Sequence, residues 1–180
     1  MYKFFVNIAK IIELFFGIIF PEKYIGKILY EKNQTVAVAE SCTGGLVSSL
    51  LTDISGSSKY ILANFVTYSN EAKIKYLGVK PETLDKYGAV SPQTAKEMAE
   101  GLLKQSGCNY AIATTGIAGP TGGSKEKPVG LMYIGLCNDK NTKVIQVNQP
   151  AELYRRLMKI SFAKEALKQL YFFIEKENEE

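Results

Sequence analysis

Short apolar runs of strand length alternate along this chain with segments of helical periodicity, and that alternation leaves few folds open to it. The runs TVAVA at 35–39, ILANFVTY at 61–68 and YAIATTG at 110–116 read as strands, as do 129–137 and 142–148. Between and after them the spacing predicts helices over 22–32, from near Gly44, over 70–77, 81–87 and 91–106, and over 151–176. Ser91-Pro92 marks one helix start well, a capping residue followed by proline at the first helical position. Strands that alternate with helices in this way predict an α/β protein.

With 180 residues, one domain can bury roughly two thirds of the surface that its unfolded chain exposes. The boundary is placed at residue 21: an apolar extension over 1–20, then one domain over 21–180. In the extension, Asn7, Lys10, Glu13 and Gly17 fall on one narrow stripe of a helix, so 3–20 is predicted to be an amphipathic helix with a wide apolar face. It is too interrupted for a membrane span, which needs about 20 apolar residues, and no small-residue cleavage site precedes Pro21. The expectation is packing on the domain or on a subunit partner, with contact to a membrane surface as the alternative.

The residues that are missing narrow the chemistry. The chain has no histidine, which excludes Ser-His-Asp and Cys-His catalysis and HExxH zinc sites. Three scattered cysteines, Cys42, Cys108 and Cys137, form no CxxC pair and no disulfide framework, so the expected setting is a reducing, cytoplasmic one with no metal or other cofactor. The net charge of +4 is spread without a basic run, so nucleic acid is not an expected partner, whereas a small anion suits the balance.

Three segments can carry chemistry. Ala39-Glu40-Ser41-Cys42-Thr43-Gly44-Gly45 joins a strand to a helix, where α/β proteins gather binding groups. The amides of Thr43, Gly44 and Gly45 can hold an anion or a developing oxyanion, although the same pattern describes a tight turn whose Ser or Thr caps the helix. Cys42 competes with Ser41 as nucleophile, or is a small buried residue. In Thr67-Tyr68-Ser69-Asn70-Glu71-Ala72-Lys73, Asn70 is the expected N-cap, which puts Lys73 in a first turn where the helix dipole favours the neutral amine; the alternative is a solvated surface lysine. The third segment, 114–124, is a glycine-rich loop that is neither GxGxxG nor a Walker A loop, with Lys125 and Lys127 beside it; it is either a site or a surface connection.

Read together, the chain resembles the CinA C-terminal domain family, whose stand-alone members are nicotinamide-nucleotide amidases. The matching residues are AESCTGG at 39–45, TDISGSS at 52–58, VTYSNEAK at 66–73, LGV at 77–79, YGAVS at 87–91, TGIAGP at 115–120 and EKPVG at 126–130. The resemblance runs from about Tyr24 into the last helix. It implies a three-layer α/β/α sandwich around a central mixed sheet, beyond the extra N-terminal helix. It also implies conversion of nicotinamide mononucleotide to nicotinate mononucleotide and ammonia in pyridine nucleotide recycling, by a Ser-Lys dyad in a homo-oligomer.

The implied roles fall on Ser41 as nucleophile, Lys73 as base and Tyr68 as the residue that orients the dyad or the substrate. Thr43, Gly44, Gly45, Asn70, Thr115, Gly116 and Gly119 would line the substrate pocket. Where the family often carries Gly-Asp-Arg ahead of an arginine pair, this sequence reads Gln149-Pro150-Ala151 and then Arg155-Arg156, with Arg155 as the implied substrate contact. The rival function is a non-catalytic, competence-associated binding module of the same fold.

Overall fold

The computed structural model describes residues 15–177. Residues 15–19 are helical and lead into α1 (Pro21–Glu31), β1 (Val36–Glu40), α2 (Leu46–Thr52), a 3-10 turn (Ser57–Lys59) and β2 (Ile61–Val66). Three helices follow, α3 (Asn70–Leu77), α4 (Pro81–Tyr87) and α5 (Pro92–Ser106), then β3 (Tyr110–Gly116), β4 (Leu131–Cys137), β5 (Thr142–Asn148) and α6 (Arg155–Glu177). Prolines open α1, α4 and α5, where the missing N–H costs no intrahelical bond.

The strands form one five-stranded sheet in the order β2-β1-β3-β4-β5. β1 pairs in parallel with β2 and β3, while β4 runs antiparallel to both β3 and β5, so the sheet is mixed. Strand alternation sends Val36, Val38, Ile112, Ile134 and Leu136 into one core with α1, α2 and α6, where Ile25, Leu29, Leu51, Phe162 and Leu170 are fully buried. The intervening residues Ala37, Ala39, Ala111 and Ala113 face a second core with Leu77, Leu84, Met98 and Leu102 from α3 to α5. Helices therefore cover both faces, as the three-layer expectation requires.

The two faces pack differently. Bulky side chains fill the α6 side, whereas the α5 side is built from alanine and glycine, so α5 lies close against the strand backbones. At Gly135 a Cβ would stand 2.2 Å from the Ala95 carbonyl oxygen and 3.0 Å from the Ala99 Cβ.

Several boundaries differ from the sequence expectation, each for a local reason. β2 stops at Val66, short of 68, because the carbonyls of Thr67 and Tyr68 turn to accept hydrogen bonds from Lys73 Nζ. β4 starts at Leu131 instead of 129: Gly130 sits at φ 93° and Leu131 N–H closes a turn on the Pro128 carbonyl. The last helix starts at Arg155, not 151, since Leu153 N–H closes a turn on the Pro150 carbonyl at 3.2 Å.

Most of the predicted N-terminal helix lies outside the described residues. Within them, Gly17 is buried against Tyr171 of α6, while Phe15, Phe16, Ile18, Ile19 and Phe20 are exposed. Among the described residues no helix is long and apolar enough to cross a membrane.

The close approach of α5 gives a stability test. Gly135→Ala forces a methyl group into helix backbone that cannot swing aside, so the fold should lose about 1–3 kcal/mol, read as a lower urea midpoint and a melting temperature reduced by several degrees. A midpoint equal to wild type would mean that α5 is not seated this tightly.

Candidate active site

Parallel pairing sets Glu40 level with Val66 of β2 and with Thr114 of β3. The next residues of β1 and β2 therefore leave the sheet at one edge, while β3 runs on beside β4 to Gly116; this is the carboxyl-end crevice where α/β proteins gather their binding groups. Ser41 N–H donates to the Thr114 carbonyl at 3.0 Å, and Thr67 N–H donates to the Glu40 carbonyl at 2.8 Å. Both bonds carry the strand ladder one step past its end and fix the two departing chains.

Lys73 reaches this edge from α3. Its helix is capped by Ser69, not by Asn70: Ser69 is extended and its Oγ accepts from Ala72 N–H at 3.1 Å, which leaves Asn70 as the first, exposed helical residue. The lysine side chain is 1% exposed, and its Nζ donates to Ser41 Oγ at 3.1 Å, Thr67 O at 2.9 Å and Tyr68 O at 3.3 Å. A surface-lysine reading is thereby excluded. Burial pushes the Lys73 amine below the usual lysine range, a shift partly offset by the Glu71 carboxylate. Two neutral carbonyls and a hydroxyl solvate the ammonium only partly, and no carboxylate bonds to it.

The sequence reading left Glu40 without a role. The residue ends an otherwise apolar strand and is fully buried. One carboxylate oxygen accepts from Gly45 N–H at 2.9 Å and Val47 N–H at 3.1 Å; the other accepts from Ser48 N–H at 2.8 Å and the Ser48 hydroxyl at 2.6 Å. The cap of α2 is thus a glutamate from the preceding strand, and neither Ser41 nor Thr43 caps the helix. Gly45 holds the N-cap position at φ 97° and offers no side chain for the task. Three amides that could have met an anion are taken by Glu40, which leaves the turn at 42–44 outside its grip.

Within that turn Cys42 is buried and its thiol is pushed up to about 12 by desolvation, so it is a poor source of thiolate. Thr43 is fully buried with its hydroxyl 2.8 Å from that of Thr114. Gly44 adopts φ 61°, and a Cβ there would lie 3.0 Å from Lys159 Nζ of α6.

The remaining expected residues divide between the crevice and its supports. Arg155 at the start of α6 donates from Nη1 to the Gly119 carbonyl at 2.6 Å and from Nη2 to the Tyr68 hydroxyl at 2.9 Å. It ties together the glycine-rich loop, the β2–α3 link and α6. Gly119 sits at φ 67°, and a Cβ would meet Val129 Cγ1 at 2.5 Å. Thr115 gives its hydroxyl to the Ala89 carbonyl at 2.6 Å, and a Cβ on Gly116 would meet the Leu131 carbonyl oxygen at 2.6 Å, so both act in packing the end of β3. Lys127 Nζ is used by the Tyr87 carbonyl at 2.6 Å. Tyr68 stands 61% exposed; its carbonyl, and not its ring, touches Lys73.

Two further cations, Arg156 and Lys159, border this edge and were not singled out from the sequence. Their signal was present as the second arginine of the pair and a lysine one turn after Arg155. Among the described residues no cluster of three or more Cys, Asp or Glu side chains is arranged to hold a metal ion.

Comparison with known proteins agrees with this architecture. The family model described as the CinA C-terminal domain matches residues 20–174. A putative competence-damage inducible protein of Clostridium acetobutylicum is 53% identical over 131 residues, 73% of this chain but 32% of the relative. The chain thus spans about a third of the length of the curated relatives it matches. Among solved structures, the competence/damage inducible protein CihA from Agrobacterium tumefaciens superposes with a TM-score of 0.80 at 43% identity, over 83% of this chain and 90% of that one. The competence damage-inducible protein A (ComA) of Klebsiella pneumoniae gives 0.78 at 29% identity, over 84% and 92%.

Glu40 supplies the test of this geometry. In Glu40→Gln one acceptor oxygen is replaced by an NH2 group that faces N–H donors, which should cost about 1–3 kcal/mol in urea unfolding. Hydrogen exchange at Gly45, Val47 and Ser48 should quicken beyond what the lower global stability accounts for. Unchanged exchange at these three amides would show that the carboxylate does not hold them.

Proposed function

Since the chain belongs to the CinA C-terminal domain family, we propose that it is an amidohydrolase that converts nicotinamide mononucleotide and water to nicotinate mononucleotide and ammonia, with Ser41 as nucleophile and Lys73 as base. The observation that carries the reading is the contact of 3.1 Å between a buried Lys73 Nζ and Ser41 Oγ. A serine hydroxyl is a weak nucleophile until an adjacent base takes its proton, and with no histidine in the chain this amine is the base in reach.

In the reaction, neutral Lys73 accepts the Ser41 proton as Oγ bonds to the carboxamide carbon. The resulting oxyanion is met by amides of the turn at 42–44, which Glu40 leaves outside its grip. Collapse of the tetrahedral species breaks the C–N bond, and the proton held on Lys73 passes to the departing nitrogen, which leaves as ammonia. Water then attacks the acyl-enzyme, Lys73 takes a proton from it, and the ester bond to Ser41 breaks to release the carboxylate and restore the hydroxyl. The Arg155 guanidinium is held by Gly119 and Tyr68, and in this reading it contacts the substrate.

A non-catalytic binding module would have no use for an amine buried against its own charge beside a serine, which favours the enzyme over the rival reading.

The test is ammonia release from nicotinamide mononucleotide by the purified protein. Ser41→Ala should reduce kcat by at least about 1,000-fold with the fold intact, whereas Cys42→Ala should keep most activity. Full activity in the serine variant would end the dyad assignment.

The pH profile gives a second test. A lowered Lys73 pKa means that the neutral, competent form grows as pH rises, so kcat/KM should climb through an ionisation below the free-lysine value of 10.5 and then level. Lys73→Arg keeps the charge but does not deprotonate in this range, and it should lose about 100-fold or more. Lys73→Met should be equally inactive yet still bind substrate. Substantial turnover in the arginine variant would reduce the lysine to a positive charge and discard it as base.

A further inference from the structure

Beside the Ser41 turn lies a cavity of about 520 Å³ lined by Leu46, Arg155, Arg156, Lys159 and Ile160. That volume is within the roughly 300–1,000 Å³ usual for small-molecule sites. Three of its five lining residues are cations and none is a carboxylate. The placement is mildly unfavourable without a ligand. Arg155 and Arg156 open α6, whose first turn carries no acidic residue, so they stand at the positive end of the helix dipole. Lys159 lies one turn beyond, at i+4 from Arg155 and i+3 from Arg156, spacings at which like charges repel. Elsewhere on α5 and α6, Lys96 pairs with Glu100 and Lys168 with Glu165.

We propose that this cavity is a phosphomonoester subsite, in which Arg156 and Lys159 bind the phosphate of a nucleotide whose amide lies at Ser41. The inference rests on the amidase reading and specifies which part of the substrate is recognised where. Arg155 is fixed in advance by Gly119 and Tyr68, with guanidinium donors to spare. Arg156 adds a planar fork suited to phosphate oxygens, and Lys159 adds a point charge. Two contacts link the cavity lining to the dyad: Lys159 Nζ stands over Gly44, three residues from Ser41, and Arg155 meets Tyr68, whose carbonyl accepts from Lys73. A dianion seated here would relieve the repulsion among the three cations and face the helix dipole.

The experiment compares kcat/KM for nicotinamide mononucleotide with that for nicotinamide riboside, which lacks only the phosphate, in wild type, Arg156→Gln and Lys159→Gln. Wild type should prefer the phosphorylated substrate by at least about tenfold, mainly through KM, and the ratio should fall toward one in each variant. Absence of preference in wild type, or an unchanged ratio in both variants, overturns the subsite. If neither compound releases ammonia, the amidase reading fails, and calorimetric titration with ribose 5-phosphate decides the subsite alone. Binding by wild type that weakens in both variants supports it, and equal or absent binding overturns it.

Discussion

Level pairing of β1 between β2 and β3 is the constraint on which the site depends. Because Glu40 is abreast of both Val66 and Thr114, the chains that follow β1 and β2 leave the sheet together, and the hydrogen bonds Ser41 to Thr114 and Thr67 to Glu40 hold them there. A slip of one residue would send the Glu40 side chain to the opposite face of the sheet. Its carboxylate would then miss the amides of α2, and the turn between would lose the shape that places Ser41 beside Lys73. The contact between Ser41 and Lys73 is inherited from strand register and is then locked by one buried acid.

The crevice is closed by a second kind of link, between elements distant in sequence. Arg155 lies 36 residues from Gly119 and 87 from Tyr68, yet one guanidinium bonds to both. The glycine-rich loop is thereby given an anchor that its own composition could not provide, since glycine makes no side-chain contacts. On the opposite face, alanines in β1 and β3 and Gly135 in β4 let α5 settle close to the sheet, so the floor under the site is backbone packed on backbone.

The strand and helix pattern was legible because each strand pairs branched or small apolar residues with a clear stop. The candidate nucleophile and lysine were legible through the resemblance, on AESCTGG and VTYSNEAK; position alone left Ser41 as a cap and Lys73 as a surface residue still open. Glu40 was not. An acid at the end of a strand reads as an exposed edge, and only the return of the chain through Gly44 and Gly45 buries it. The missing clue was that α2 has no capping side chain of its own at Gly45, so some other residue had to supply one. Ser69 was passed over for Asn70 as N-cap because both residue types suit that position, and only the extended backbone at Ser69 settles the choice. Lys159 was read only as part of a helix over 151–176, and nothing in one sequence says which turn of that helix passes over Gly44.

The burial of Lys73 also bears on the energy of the molecule. In the unfolded chain this amine is hydrated and holds its proton up to the ordinary lysine value, while in the fold its affinity for that proton is lower. Between the two pKa values the unfolded chain binds more protons, so stability increases with pH across that window and is lost as pH falls through the folded value. Burial therefore weakens the hold of this amine on its proton, and the protein carries that weakening as a standing deduction from its own stability wherever the amine stays charged.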